Sequence, residues 1–123
     1  MHNFKELRVW QESMLLAKAT FGVTKQFPKE EKYGLISQMN RAAVSVPSNI
    51  AEGASRDSKK EFRHFLNFSL GSCFELETQL ILANSFGYVS DPDNITLAAS
   101  IIKIQKMISK LKSTLPDTYL LDT

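Results

Sequence analysis

Three sets of residues in this 123-residue chain carry side chains suited to chemistry. The first is Glu61-Phe62-Arg63-His64, a Glu-x-x-His pair. In helical bundles such a pair on each of two helices, with glutamates on the others, holds two metal ions. Here it occurs once, and Glu61 stands where the acid of a capping box would sit. The sequence therefore offers no metal centre and no cofactor site. The second set is nucleophilic. Cys73 is the only cysteine, and His2 and His64 are the only histidines. An activated nucleophile needs a neighbouring base and an orienting acid. Cys73 instead falls on an apolar helical stripe and reads as a small core residue. Five scattered glycines make no phosphate-binding loop. No catalytic constellation assembles, so the chain is expected not to be an enzyme.

The third set is polar and basic. Arg41, Ser45, Asn49 and Glu52 recur at steps of four, four and three, which places them on one helix face. In one reading Ser45 and Asn49 repair the backbone around Pro47 while Arg41 and Glu52 form structural ion pairs. In the other the stripe lines a ligand or RNA surface. Arg41 and Glu52 lie ~16 Å apart along a helix axis, so each is expected to bond another helix or another subunit. Polar residues inside bundles set register and assembly state, which favours the structural and assembly reading. Lys103, Lys106 and Lys110 form a line in a segment with no acidic residue between Asp93 and Asp117. With Lys112, and with Arg56, Lys59, Lys60 and Arg63 in an earlier turn, they could contact the phosphates of RNA or DNA. A lysine stripe is by default a solvated face. Repeated around an oligomer it becomes a large field that binds phosphates without sequence preference and with strong salt sensitivity. No aromatic residue is interleaved among these lysines to stack bases.

Four amphipathic segments must position these groups. The first spans about 4–26, with a seam of Leu7, Trp10, Met14, Ala17 and Phe21. Phe27-Pro28 ends it. The second spans about 29–54, with a seam of Leu35, Met39, Ala42, Val46 and Ile50. A kink or break is expected near Pro47, and Gly53 is the expected stop. The third spans about 58–86, capped by Asp57 or Ser58, with a seam of Phe62, Leu66, Ser69, Cys73, Leu76, Leu80 and Ala83. The fourth spans about 93–115 with Leu97, Ile101, Ile104, Ile108, Leu111 and Leu115 in a four-three rhythm, and a tail covers 116–123. No credible strand, repeat or linker occurs. Together these make one all-α domain, an up-down-up-down antiparallel four-helix bundle.

The third segment is apolar beyond one stripe. Phe65, Phe68, Phe74, Ile81 and Phe86 cannot all face one core, so Phe65, Phe68, Phe74 and Ile81 are the expected oligomer interface. Hydrophobic residues make up 43% and charged residues 23%, which fits a folded domain. No apolar run approaches the ~20 residues of a membrane-spanning helix, and the start of the chain lacks a signal-peptide core. One cysteine fits a reducing cytoplasm, the expected location, with no membrane partner. The net charge of +2 and pI near 8.7 are only mildly basic.

Leu7-Arg8-Val9-Trp10, Arg41-Ala42, Ser45-Val46-Pro47, Asn49-Ile50-Ala51-Glu52-Gly53, and Gly71-Ser72 with Glu75-Leu76 and Thr78 carry a family resemblance. The chain resembles the four-helix-bundle proteins encoded in intervening sequences of bacterial 23S rRNA genes, and their relatives that accompany diversity-generating reverse transcriptases. The resemblance spans about Phe4 to Leu115. It implies a homopentameric ring of bundles, and as partners RNA, DNA, or a reverse transcriptase or other ribonucleoprotein component. Two functions follow: an assembly that binds RNA or a ribonucleoprotein through its basic surface, or a protein-interaction scaffold whose cations only solubilise it.

Overall fold

The computed structural model describes residues 3–115. His2 and the tail from 116 to 123 lie outside the described residues. The chain is all-α, a bundle of four helices: α1 (Arg8–Thr24), α2 (Leu35–Ala54), α3 (Lys59–Ser85) and α4 (Asp91–Ser113). No strand occurs among the described residues.

The helix ends follow local side-chain chemistry. Ser58 and Ser90 sit in extended backbone, and their Oγ atoms accept hydrogen bonds from the amides of Glu61 and Asp93. Each thus satisfies an amide that the first turn leaves unpaired. The Ser90-Asp91-Pro92-Asp93 segment is the cap and first turn of α4, which therefore starts before the expected 93, because proline is tolerated where no helical amide bond is made. Gly87 ends the α3 region with φ +76°, a conformation that favours glycine.

The first two helices are shorter than the sequence implies. Residues Phe4–Glu6 form a separate 3-10 turn, and Leu7 is extended before α1 begins. The Phe4 ring meets Trp10 edge-on at 5.3 Å, which folds that turn back onto α1. Lys29–Glu31 form a second 3-10 turn, and Gly34, at φ −108° and ψ −114°, separates it from α2. The Glu31 carboxylate accepts the Leu35 amide and serves as the side-chain cap that Gly34 cannot supply.

α1 packs on α2 and α4, and α3 packs on α2 and α4, so α1 and α3 occupy diagonal corners. The core lies between them. The expected seam of α3 is buried throughout, as are Met39, Ala42, Val46 and Ile50 of α2 and Leu97, Ile101, Ile104 and Ile108 of α4. Leu35 and Leu111 are only half-buried against that core. The expected seam of α1 is displaced. Its buried line is Val9, Ser13, Leu16, Thr20 and Val23, while Leu7, Trp10, Met14 and Ala17 are half-buried and Phe21 is exposed. Ser13 and Thr20 enter the core because their hydroxyls donate to the carbonyls of Trp10 and Leu16 within the same helix, at 2.8 Å each.

Candidate functional site

The polar stripe of α2 faces α3, and the two helices meet closely there. Ser69 donates to the Val46 carbonyl at 2.8 Å in a fully buried bond. Ser72 donates to Ser45 Oγ at 2.9 Å, and Asn49 Nδ2 donates to both the Oγ and the carbonyl of Ser45. Thus Ser45 and Asn49 do bond backbone and each other beside Pro47. The helix is continuous across that proline, so it does not divide α2.

Gly53 is not a stop, since α2 runs through to Ala54. A Cβ built on Gly53 would lie 2.8 Å from Phe65 Cβ and 3.0 Å from Phe62 Cδ1. The glycine lets α2 and α3 approach to that distance. Ser69, Ser72 and Gly53 thus carry a contact that larger residues would hold apart.

Within the subunit, neither charged end of the stripe bonds another helix among the described residues. Glu52 does not reach another helix. It pairs with Arg56, four residues on, at 2.6 Å, because that spacing brings the two side chains together at the end of α2. Arg41 is exposed and makes no ion pair among the described residues. It borders a polar cleft with Tyr33, Ser37, Gln38, Ser45 and Glu75.

The basic residues gather largely at one end of the bundle. The Arg63 guanidinium donates to the carbonyls of Lys112 at 2.9 Å and Leu115 at 3.3 Å, which ties the start of α3 to the end of α4. Arg56 stacks over the Phe65 ring at 4.9 Å. Lys59 and Lys60 lie in the first turn of α3, and Lys110 and Lys112 in the last turn of α4. Lys106 and Lys110 are exposed, whereas Lys103 pairs with Glu12 of α1 at 3.2 Å. Arg56, Arg63 and Lys103 thus make contacts within the subunit.

The side chains that might have done chemistry are otherwise placed. Cys73 is buried, and its thiol is pushed up to about 12, by desolvation first and by the charge of Glu77 second. A thiol so held is a poor nucleophile. The His64 ring stacks edge-on against Phe68 at 4.5 Å, and Glu61 is exposed at the helix start. Tyr88 donates to Glu31 at 3.0 Å, which raises its pKa.

Two apolar surfaces stand open. The outward side of α3 exposes Phe68, Phe74, Ile81 and Leu82, with Phe86 just beyond; Phe74 is 51% and Ile81 60% exposed. Phe65 is half-buried beneath Arg56. No lysine or arginine occurs from His64 to Ser85. The second surface was not foreseen as such. It is a groove of about 600 Å³ between α1 and α2, lined by Trp10, Met14, Ala17, Phe21, Val44 and Pro47 among others. The four α1 residues are the very ones whose spacing marked a seam.

A family model described as 23S rRNA-intervening sequence protein matches residues 5–110. The chain belongs to that family. Among solved structures, it is similar to a Bacteroides thetaiotaomicron protein of unknown function from the S23 ribosomal protein family. The TM-score is 0.79 at 23% identity, over 85% of this chain and 97% of that one, a likeness of fold. No curated protein matches the chain.

Proposed function

We propose that this member of the 23S rRNA-intervening sequence protein family is a non-catalytic, cytoplasmic assembly module. Its subunits, up-down-up-down bundles, join as a closed homo-oligomer, a pentamer in the resemblance, and present their basic ends to RNA or to a ribonucleoprotein such as a reverse transcriptase complex. The observation that carries the assembly is the outward side of α3. A solvated helix face holds charged residues, whereas this one holds four large apolar side chains and no cation over more than twenty residues. Large apolar side chains left exposed in this number along one helix mark a contact surface.

The nucleic-acid half of the proposal rests on the basic end, where Lys59, Lys60, Lys106, Lys110 and Lys112 project from two helices that Arg63 clamps together. One subunit offers few phosphate contacts, and a ring multiplies them. Lys103 contributes least, since Glu12 already neutralises it. The same internal pairing of Arg56, Arg63 and Lys103 favours the second reading, a scaffold whose remaining cations only solubilise it.

Light scattering tests the assembly, which a monomer mass would overturn. Binding to structured RNA across a salt series tests the basic end. Affinity should fall steeply with salt and drop further in a Lys59→Glu, Lys106→Glu, Lys110→Glu variant that still assembles. Equal affinity of variant and wild type at low salt would leave the scaffold reading.

A further inference from the structure

We propose that the groove between α1 and α2 of one copy receives the outward face of α3 from the next copy. The inference rests on the self-assembly proposed above and specifies its contact.

The two surfaces match in period. The groove is walled by Trp10, Met14, Ala17 and Phe21 on one side and by Val44, Pro47, Ser48 and Ala51 on the other. Both walls repeat at three and four residues, so holes recur every seven, or ~10 Å along the axis. Phe74 and Ile81 project from α3 seven residues apart and are both exposed. That is the spacing at which the knobs of one helix enter the holes of another. A third helix laid along the α1–α2 groove would bury what the subunit leaves open on both surfaces.

The charges agree as well. Lys18 stands on the rim of the groove. Glu77 lies three residues after Phe74 and four before Ile81, on their side of α3, and makes no ion pair among the described residues. Stacking two α3 faces on each other would instead place Glu77 of both copies in one patch, where like charges repel.

The geometry also sets the symmetry. α1 and α3 hold diagonal corners of the bundle, so the groove and the α3 face look in different directions. A contact between two different patches is head-to-tail. It cannot close as a twofold dimer, and it propagates until a ring of three or more copies shuts. Every copy then uses one groove and one α3 face, and none is left open.

Two variants decide this by complementation. Val44→Glu with Ser48→Glu spoils the groove, and both positions are exposed in the subunit. Phe74→Asp with Ile81→Asp spoils the α3 face. Each variant alone should run as a folded monomer, judged by light scattering and by a helical circular-dichroism spectrum that melts cooperatively. An equimolar mixture should form a crosslinkable heterodimer, because one member keeps its groove and the other its α3 face. Should the groove pair perturb folding, Ser48→Arg alone blocks the same wall from a solvent-facing position. A folded groove variant that keeps the wild-type mass overturns the inference and leaves the groove to residues 116–123 or to an unrelated partner. A mixture that yields no crosslinked pair also overturns it. A wild-type monomer, by contrast, defeats the assembly itself.

Discussion

α2 is packed on two sides, and the two sides differ. Against α3 it is closed: Gly53 abuts Phe62 and Phe65, Ser69 reaches the Val46 carbonyl, and Ser72 meets Ser45. Against α1 it is open, and Trp10, Met14, Phe21, Val44 and Pro47 line a groove. Small residues draw backbones together, and large ones hold them apart. The closed side carries the fold, whereas the open side holds apolar surface that the fold itself does not use.

The sharpest test contrasts core and groove side chains of similar size. Leu66→Ala, fully buried on α3, should cost about 2–5 kcal/mol in urea unfolding of the monomeric Phe74→Asp, Ile81→Asp variant, since it leaves a cavity. Met14→Ala in the groove should cost less there, under about 2 kcal/mol, since that side chain is only partly buried in the subunit. Equal losses would erase the distinction between the two sides. Gly53→Val should cost about 1–3 kcal/mol by overpacking against Phe62 and Phe65; a neutral result would mean that α2 and α3 can part without loss. Ser69→Ala, which removes one buried bond to a carbonyl, should cost about 1 kcal/mol in the same assay.

The smallest effect near neutral pH belongs to Cys73. Its folded thiol keeps the proton up to about 12, while an unfolded one loses it near the ordinary thiol value of 9.0. Its contribution to stability is therefore complete below pH 9 and is lost as pH rises from 9 towards 12. Iodoacetamide at pH 8 should leave Cys73 unmodified in the native protein and label it in denaturant. Rapid native labelling would show that the core around α3 opens.

The α3 and α4 seams were legible because large apolar residues recur there without interruption. The α1 seam was not. Trp10, Met14 and Phe21 outweigh Ser13 and Thr20 in any hydrophobic pattern, yet the hydroxyls satisfied within the helix are the buried ones. Periodicity identified a true apolar face and assigned it to the wrong neighbour. Glu52 misleads for a similar reason: its ~16 Å separation from Arg41 points to another helix, whereas its partner is Arg56, four residues on. The break at Gly34 has only a glycine to announce it, and Glu31 supplies the cap from the turn before.

The order in which the helices touch has a consequence in time. α1 packs on α2, α2 on α3 and α3 on α4, and among the four helices only the contact of α1 with α4 joins non-consecutive ones. As synthesis proceeds, each new helix meets a partner already made, and such local contacts favour fast folding. The exception is the last to close. Until Leu97, Ile101, Ile104 and Ile108 arrive, Val9 and Leu16 on one side and Leu76 and Leu80 on the other lack their final cover. The interval before α4 is complete is thus when a nascent chain is most open to mispairing with a neighbour.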